Sequence, residues 1–197
     1  PIVVLDGNHE VWPSLGRYAL TEAAQAAMAS RRPLHLGGSI WWAWRGSTWR
    51  WGGCTFGALG GAVSPDRWDL AVRGWRWSEE ATTPDDVERL IGNVQAQFGG
   101  HLDVLFTHDA PAQVQNLKSG MTNVPLDLQH AAAEVRPLLA EAVERTHPAY
   151  VLHGHWHQPN HERIRGTAEV FGLSADGSHN STALLTTRPA LDVTYAT

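Results

Sequence analysis

The chain has 197 residues, enough for one domain with a sizeable buried core, and its composition, 43% hydrophobic and 18% charged, is that of a globular protein. The net charge is −5 with acidic and basic residues scattered, so no basic block marks an electrostatic footprint for nucleic acid. No apolar stretch approaches a membrane span, and Cys54 is the single cysteine, which excludes an internal disulfide and fits a reducing, cytoplasmic setting.

In chain order, Ile2-Val3-Val4-Leu5 reads as a short buried strand closed by Asp6-Gly7. The chain begins at Pro1, without a Met, inside that strand, so residues 1–197 are expected to form a single domain that lacks its natural N-terminus and first strands. Residues 15–30 are Ala-rich and read as one helix, which Arg31-Arg32-Pro33 ends. Residues 40–44 and 48–51 flank Arg45-Gly46-Ser47, a hairpin signal. Cys54–Leu59 is a further strand, stopped by Gly60-Gly61. Residues 62–81 read as a loop of a length that is uncommon unless functional or disordered. Thr83-Pro84-Asp85-Asp86 starts a helix, with Thr as N-cap, Pro at the first helical position and acids in the first turn. That helix runs to about Phe98 and stops at Gly99-Gly100. A strand over 102–106, a helix over 127–145 in which Pro137 marks a kink or a second start, and a strand over 149–152 follow. Residues 163–172 and 182–186 look like closing strands, and the alternation of strands and helices argues an α/β fold.

Three of the apolar runs end in histidine-bearing stretches: Gly7-Asn8-His9-Glu10, Thr107-His108-Asp109-Ala110-Pro111 and His153-Gly154-His155-Trp156-His157. Strand ends in α/β folds are where sites assemble. If the last stretch is extended, His155 and His157 point to the same side, and two imidazoles on one face suit zinc, manganese or iron; the competing reading is a pair of solvated loop histidines. His108 directly follows a strand, where a ligand is held rigidly, or it caps the strand end by hydrogen bonding. Asp109 either orients an imidazole or forms the turn before Pro111. His35, His101, His130, His147 and His179 read as isolated, whereas His153 and His161 are close enough in sequence to support the cluster. Trp41, Trp42, Trp44, Trp49 and Trp51 read first as cross-strand packing. Trp68, Trp75 and Trp77, with Arg67, Arg73 and Arg76, are the better candidates for a substrate rim.

Gly-Asn-His-Glu, an isolated His after a strand, and Gly-His-x-His, in that order, resemble the last three motifs of the calcineurin-like metallophosphoesterases. The resemblance runs from Asp6 to about Gly172. The family's opening Asp-x-His and Gly-Asp-x-x-Asp do not precede Gly7. The resemblance implies two packed mixed β-sheets flanked by helices, incomplete at the N-terminus, and two divalent ions (Mn, Fe or Zn) held in part by Asn8, His108, His155 and His157. It places Asn8, His108 and His155 at one ion and only His157 at the other, with the shared Asp upstream. His9 matches the family's non-ligating histidine, which faces the substrate phosphate and either stabilises its oxygens or protonates the leaving alkoxide. The implied activity is hydrolysis of a phosphate ester, whether monoester, diester, nucleotide or phosphoprotein. The competing expectations are a catalytically inactive scaffold of the same fold and a single-site zinc protein.

Overall fold

The computed structural model describes residues 1–64, 78–115, 117, 126–164, 166 and 168–196. Trp68, Trp75, Trp77, Arg67, Arg73 and Arg76, the candidate substrate rim, lie outside the described residues.

The fold is α/β, with mixed sheets flanked by helices. Its centre is a six-stranded sheet in the order β4 (Thr48–Trp51), β5 (Cys54–Leu59), β6 (Val104–Thr107), β7 (Tyr150–His153), β9 (Glu169–Gly172), β8 (Asn160–Arg163). Strands β5, β6, β7 and β9 run parallel, and the edge strands β4 and β8 pair antiparallel. Side chains alternate between the two faces, as the pleat requires. Leu59, Leu105, Val151 and Val170 meet helices α3 (Pro84–Phe98) and α4 (Leu126–Thr146) through Leu90, Val94, Leu139 and Val143. Phe56, Val104, Leu152 and Phe171 face the other way, onto a hairpin of β10 (Ala183–Thr186) and β11 (Asp192–Tyr195) that contributes Leu185 and Val193. Both faces are covered, and β5 is accordingly buried at every position, Thr55 included.

A second mixed sheet has the order β1 (Ile2–Leu5), β3 (Ile40–Ala43), β2 (Leu34–Gly37). Trp42 and Trp44 form a small core with Leu34, Ala24, Leu15 and Met28, which belong to this sheet and to helices α1 (Trp12–Ala19) and α2 (Glu22–Ala29). Among the described residues the strands thus divide six, three and two.

Four expectations are corrected. Strand β1 is not buried: it lies at a sheet edge, with Ile2 60% and Val3 44% exposed. The single helix over 15–30 is two, because Thr21 leaves the helical path and caps α2 with its side chain, accepting from the Ala24 N–H. No hairpin forms around Arg45-Gly46-Ser47, since β3 pairs with β1 and β2 while β4 pairs with β5. The tight turn is instead at Gly52-Gly53, both at positive φ (59° and 90°), between the facing residues Trp51 and Cys54. Two such residues give a turn whose twist matches that of the strands. Lastly, residues 163–172 hold a bend and not one strand, because Asn160–Arg163 folds back on Glu169–Gly172. The start of α3 is as expected, with Thr83 and Asp86 forming a reciprocal capping box and Gly99 ending the helix at φ 70°.

Of the strand tryptophans, Trp42 and Trp44 pack in the small core, and Trp49 stacks on Phe56 and Phe106 at 5.4 and 6.1 Å. Packing accounts for these three. Trp51 stays 63% exposed.

Candidate metal centre

Parallel pairing sends the C-terminal ends of β5, β6 and β7 to one edge of the main sheet. Strand β1 delivers its own end there, because the Gly61 N–H donates to the Asp6 carbonyl at 3.0 Å. A Cβ on Gly60 would collide with that carbonyl oxygen and with the Asp6 carboxylate, so only glycine lets the two strand ends come this close. All three histidine-bearing stretches therefore start from neighbouring strand ends.

The structure brings Asn8, His108 and His155 together. Asn8, which is buried, presents Oδ1 to His108 Nε2 at 2.8 Å, across 100 residues of sequence. The His155 ring lies 5.2 Å from that of His108, centroid to centroid. His9 is exposed, yet near enough to His108 to disfavour a positive charge there. Burial first, then His155, His9, His153 and Arg45, lower the pKa of His108 from 6.5 to about 3. His108 is therefore neutral at neutral pH, the state a metal ligand needs. Two donors each about 2.1 Å from one ion, at octahedral to tetrahedral angles, lie roughly 3.0–3.4 Å apart. The Asn8 and His108 donor atoms are already near that separation, so they fit a shared ion with a small adjustment.

His155 and His157 do not lie on an extended segment. Their φ angles are 63° and 53°, so the same-side argument from strand geometry fails. His157 is exposed, and no described contact joins it to Asn8, His108 or His155. The loop carrying both histidines is nonetheless anchored. Gly154 N–H donates to the His108 carbonyl at 3.1 Å, and Trp156 Nε1–H donates to Asp109 Oδ1 at 2.7 Å. Asp109 also takes the Ala110 N–H at 2.6 Å. Asp109 thus orients a neighbouring loop through an indole and not an imidazole, while serving its own turn. His153 is 2% exposed, its Nδ1 lies 3.1 Å from the Gly154 carbonyl oxygen, and burial lowers its pKa while the contacts with Gly154 and Asn160 work the other way. His161 stacks on Phe171 at 4.1 Å and sits 3.3 Å from Glu169. Glu10 turns back to accept the Gly7 N–H at 3.1 Å, which closes the turn that presents Asn8.

Four residues of the site's frame escaped the sequence reading of roles. Asp6 accepts from Arg45 Nε at 2.8 Å and from Trp42 Nε1 at 3.2 Å; burial raises its carboxyl above the ordinary value, while Arg45 works the other way. Arg45 also donates to the carbonyls of Ala81 and Glu80 at 2.6 and 2.9 Å and lies 4.6 Å from the centre of the Trp12 ring. Ser64 and Glu80, both buried, bond to each other and Ser64 bonds to Asn8. Gly60-Gly61 flagged the end of β5, but nothing in the pattern of an isolated Arg, Ser or Glu says that it is buried.

A stability measurement checks the placement of His108. Its pKa is lower folded than unfolded, so between about 3 and 6.5 the unfolded chain binds more protons. The stabilisation is complete above 6.5 and is lost as pH falls toward 3. The urea midpoint of the metal-free protein should therefore fall between about pH 7 and about pH 5, and less steeply in His108→Gln. Equal slopes in the two proteins would place His108 in water.

Among the described residues, no three His, Cys, Asp or Glu side chains are grouped so as to hold a metal ion. The cluster contributes two imidazoles and one amide. No helix among the described residues is long and apolar enough to cross a membrane. In comparisons with known proteins, the chain matches no protein-family model and no curated protein.

Proposed function

We propose that the protein is a metal-dependent phosphoester hydrolase of the metallophosphoesterase type, with Asn8, His108 and His155 as ligands, His157 as a ligand of a second ion, and His9 acting on the substrate. The observation that carries this reading is the 2.8 Å approach of Asn8 Oδ1 to His108 Nε2. It joins two strand-end motifs 100 residues apart, with a third imidazole beside them.

When bound, divalent ions would polarise phosphoryl oxygens and make a water acidic enough to attack at neutral pH. The chain's residues do the rest. His108 offers an uncharged nitrogen because burial keeps it unprotonated. Asn8 offers a neutral oxygen, held in place from behind. His9 projects from the same turn as Asn8 and is exposed, so it can reach a phosphoryl oxygen or hand a proton to the departing alkoxide. No serine or cysteine nucleophile is required, and Cys54 is buried at the start of β5, the end of that strand opposite the histidine-bearing loops.

The exposed position of His157, and the lack of a three-residue His, Cys, Asp or Glu group among the described residues, favour a second reading, a scaffold of this fold that binds without turnover. One assay separates the two. A panel of phosphomonoesters and phosphodiesters is tested on the protein with Mn, Fe or Zn and after chelation. Hydrolysis that needs the metal supports the enzyme. Full activity after thorough chelation overturns the metal-dependent reading, and inactivity with every metal leaves the scaffold.

A further inference from the structure

The His108 and His155 imidazoles come from different loops, and the contacts that join the loops lie beside them. The Trp156 backbone N–H donates to the Gly154 carbonyl at 2.7 Å, which closes a three-residue turn with His155 at its centre. His155 has φ 63°, so this is the rare, strained form of that turn. A strained backbone persists where its surroundings hold it. Here both ends of the turn are tied to consecutive residues of the other loop. The Gly154 N–H donates to the His108 carbonyl at 3.1 Å, and the Trp156 indole N–H donates to Asp109 Oδ1 at 2.7 Å, across 47 residues of sequence.

The indole bond is itself built in. Asp109 is 1% exposed, and the same oxygen takes the Ala110 N–H at 2.6 Å, so the carboxyl group cannot swing away from the indole without giving up a bond in its own loop. Arg136 of α4 braces both loops. Its Nε and Nη2 donate to the Ala110 and Pro111 carbonyls at 3.2 Å each, and its guanidinium lies 5.3 Å from the centre of the Trp156 ring. The ring also packs against the main core.

We propose that Trp156 is a positioning residue. Its indole N–H, held by Asp109, fixes the strained turn so that the His155 ring stays 5.2 Å from that of His108, centre to centre. Two ligands already at their working separation lose less freedom on binding, so the indole bond sets how firmly the pair holds a divalent ion. The inference rests on the proposed ligand roles of His108 and His155, but its first consequence is read without any metal.

Trp156→Phe keeps an aromatic ring against Arg136 and the core and deletes the N–H. Asp109→Asn keeps an oxygen for the indole and the Ala110 N–H. In the metal-free protein, ring protons of two imidazoles this close give a nuclear Overhauser effect. The expected result is that effect between His108 and His155 in the natural protein and in Asp109→Asn, and its loss in Trp156→Phe. Mn or Zn affinity by calorimetry should fall about 10–100-fold in Trp156→Phe and change little in Asp109→Asn. A merely structural role for the ring would lower the urea midpoint without moving the two imidazoles apart.

No such effect in the natural protein, an undiminished one in Trp156→Phe, or its loss in Asp109→Asn, where the acceptor remains, overturns the inference. If Trp156→Phe does not fold, Asp109→Leu takes its place, because it removes the acceptor and leaves the indole; an undiminished effect there also overturns it. If the rings separate as expected but the natural protein binds no metal, the proposed function fails and the positioning role of Trp156 stands.

Discussion

Replacing Arg45 with Met is expected to cost about 3–5 kcal/mol of folding stability, because breaking a buried ion pair from one side strands the other charge. Arg45 is 9% exposed, and Asp6, its partner at 2.8 Å, is 2% exposed. The substitution also leaves the carbonyls of Glu80 and Ala81 without their donor. Asp6 already has a raised pKa from burial, and losing the cation raises it further. In the variant the folded state then holds a proton on Asp6 that the unfolded state releases above its ordinary pKa of 3.8. The loss should accordingly be largest at neutral pH and shrink as pH falls toward 3.8. Urea unfolding at two pH values reads both effects. A double variant, Arg45→Met with Asp6→Leu, should recover part of the loss, since it removes the stranded charge. A cost below about 1 kcal/mol for Arg45→Met, or no recovery in the double variant, would mean that the pair is not buried as described.

His9→Ala is expected to lower turnover by about 10²–10⁴-fold while leaving metal content nearly intact, the size of effect typical of a lost general acid. His9 shares its turn with Asn8 but points outward, whereas Asn8 points into the frame of Ser64 and His108. A residue that acts on the transition state and not on the ion should depress kcat and kcat/KM together. Loss of an ion on this substitution would make His9 a ligand instead, and unchanged turnover would remove it from the chemistry.

The sequence was most informative where local chemistry decides the structure. The Thr83 capping box, the Cys54–Leu59 strand and the Gly99 stop are each set by a few adjacent residues. It was least informative where partners are distant in the chain. A hairpin at Arg45-Gly46-Ser47 is locally reasonable, but Arg45 is drawn inward by Asp6, and the chain crosses from one sheet to the other. Strand β1 is apolar enough to read as buried, yet edge placement depends on which strands pair with it, and that is not a local property. Asn8, His108 and His155 stand out from residue type and motif order, and the structure brings them side by side. Ser64, Glu80 and Arg45 do not stand out, because their roles follow from burial and hydrogen bonding, which residue type does not encode. The same-side placement of His155 and His157 requires an extended segment, and positive φ values on the histidines themselves, which their residue type does not announce, exclude it.

The central claim is that Asn8, His108 and His155 form a divalent-metal site, and the most direct test is titration of residues 1–197 with Mn or Zn, read by calorimetry and by anomalous scattering from crystals of the loaded protein. The 2.8 Å approach of Asn8 to His108, with one more imidazole 5.2 Å away and His157 exposed, predicts one weakly held ion. It should lie against Asn8 Oδ1 and His108 Nε2 and be lost in His108→Ala. No ion at saturating metal, two tightly held ions, or one ion whose binding survives His108→Ala would contradict it.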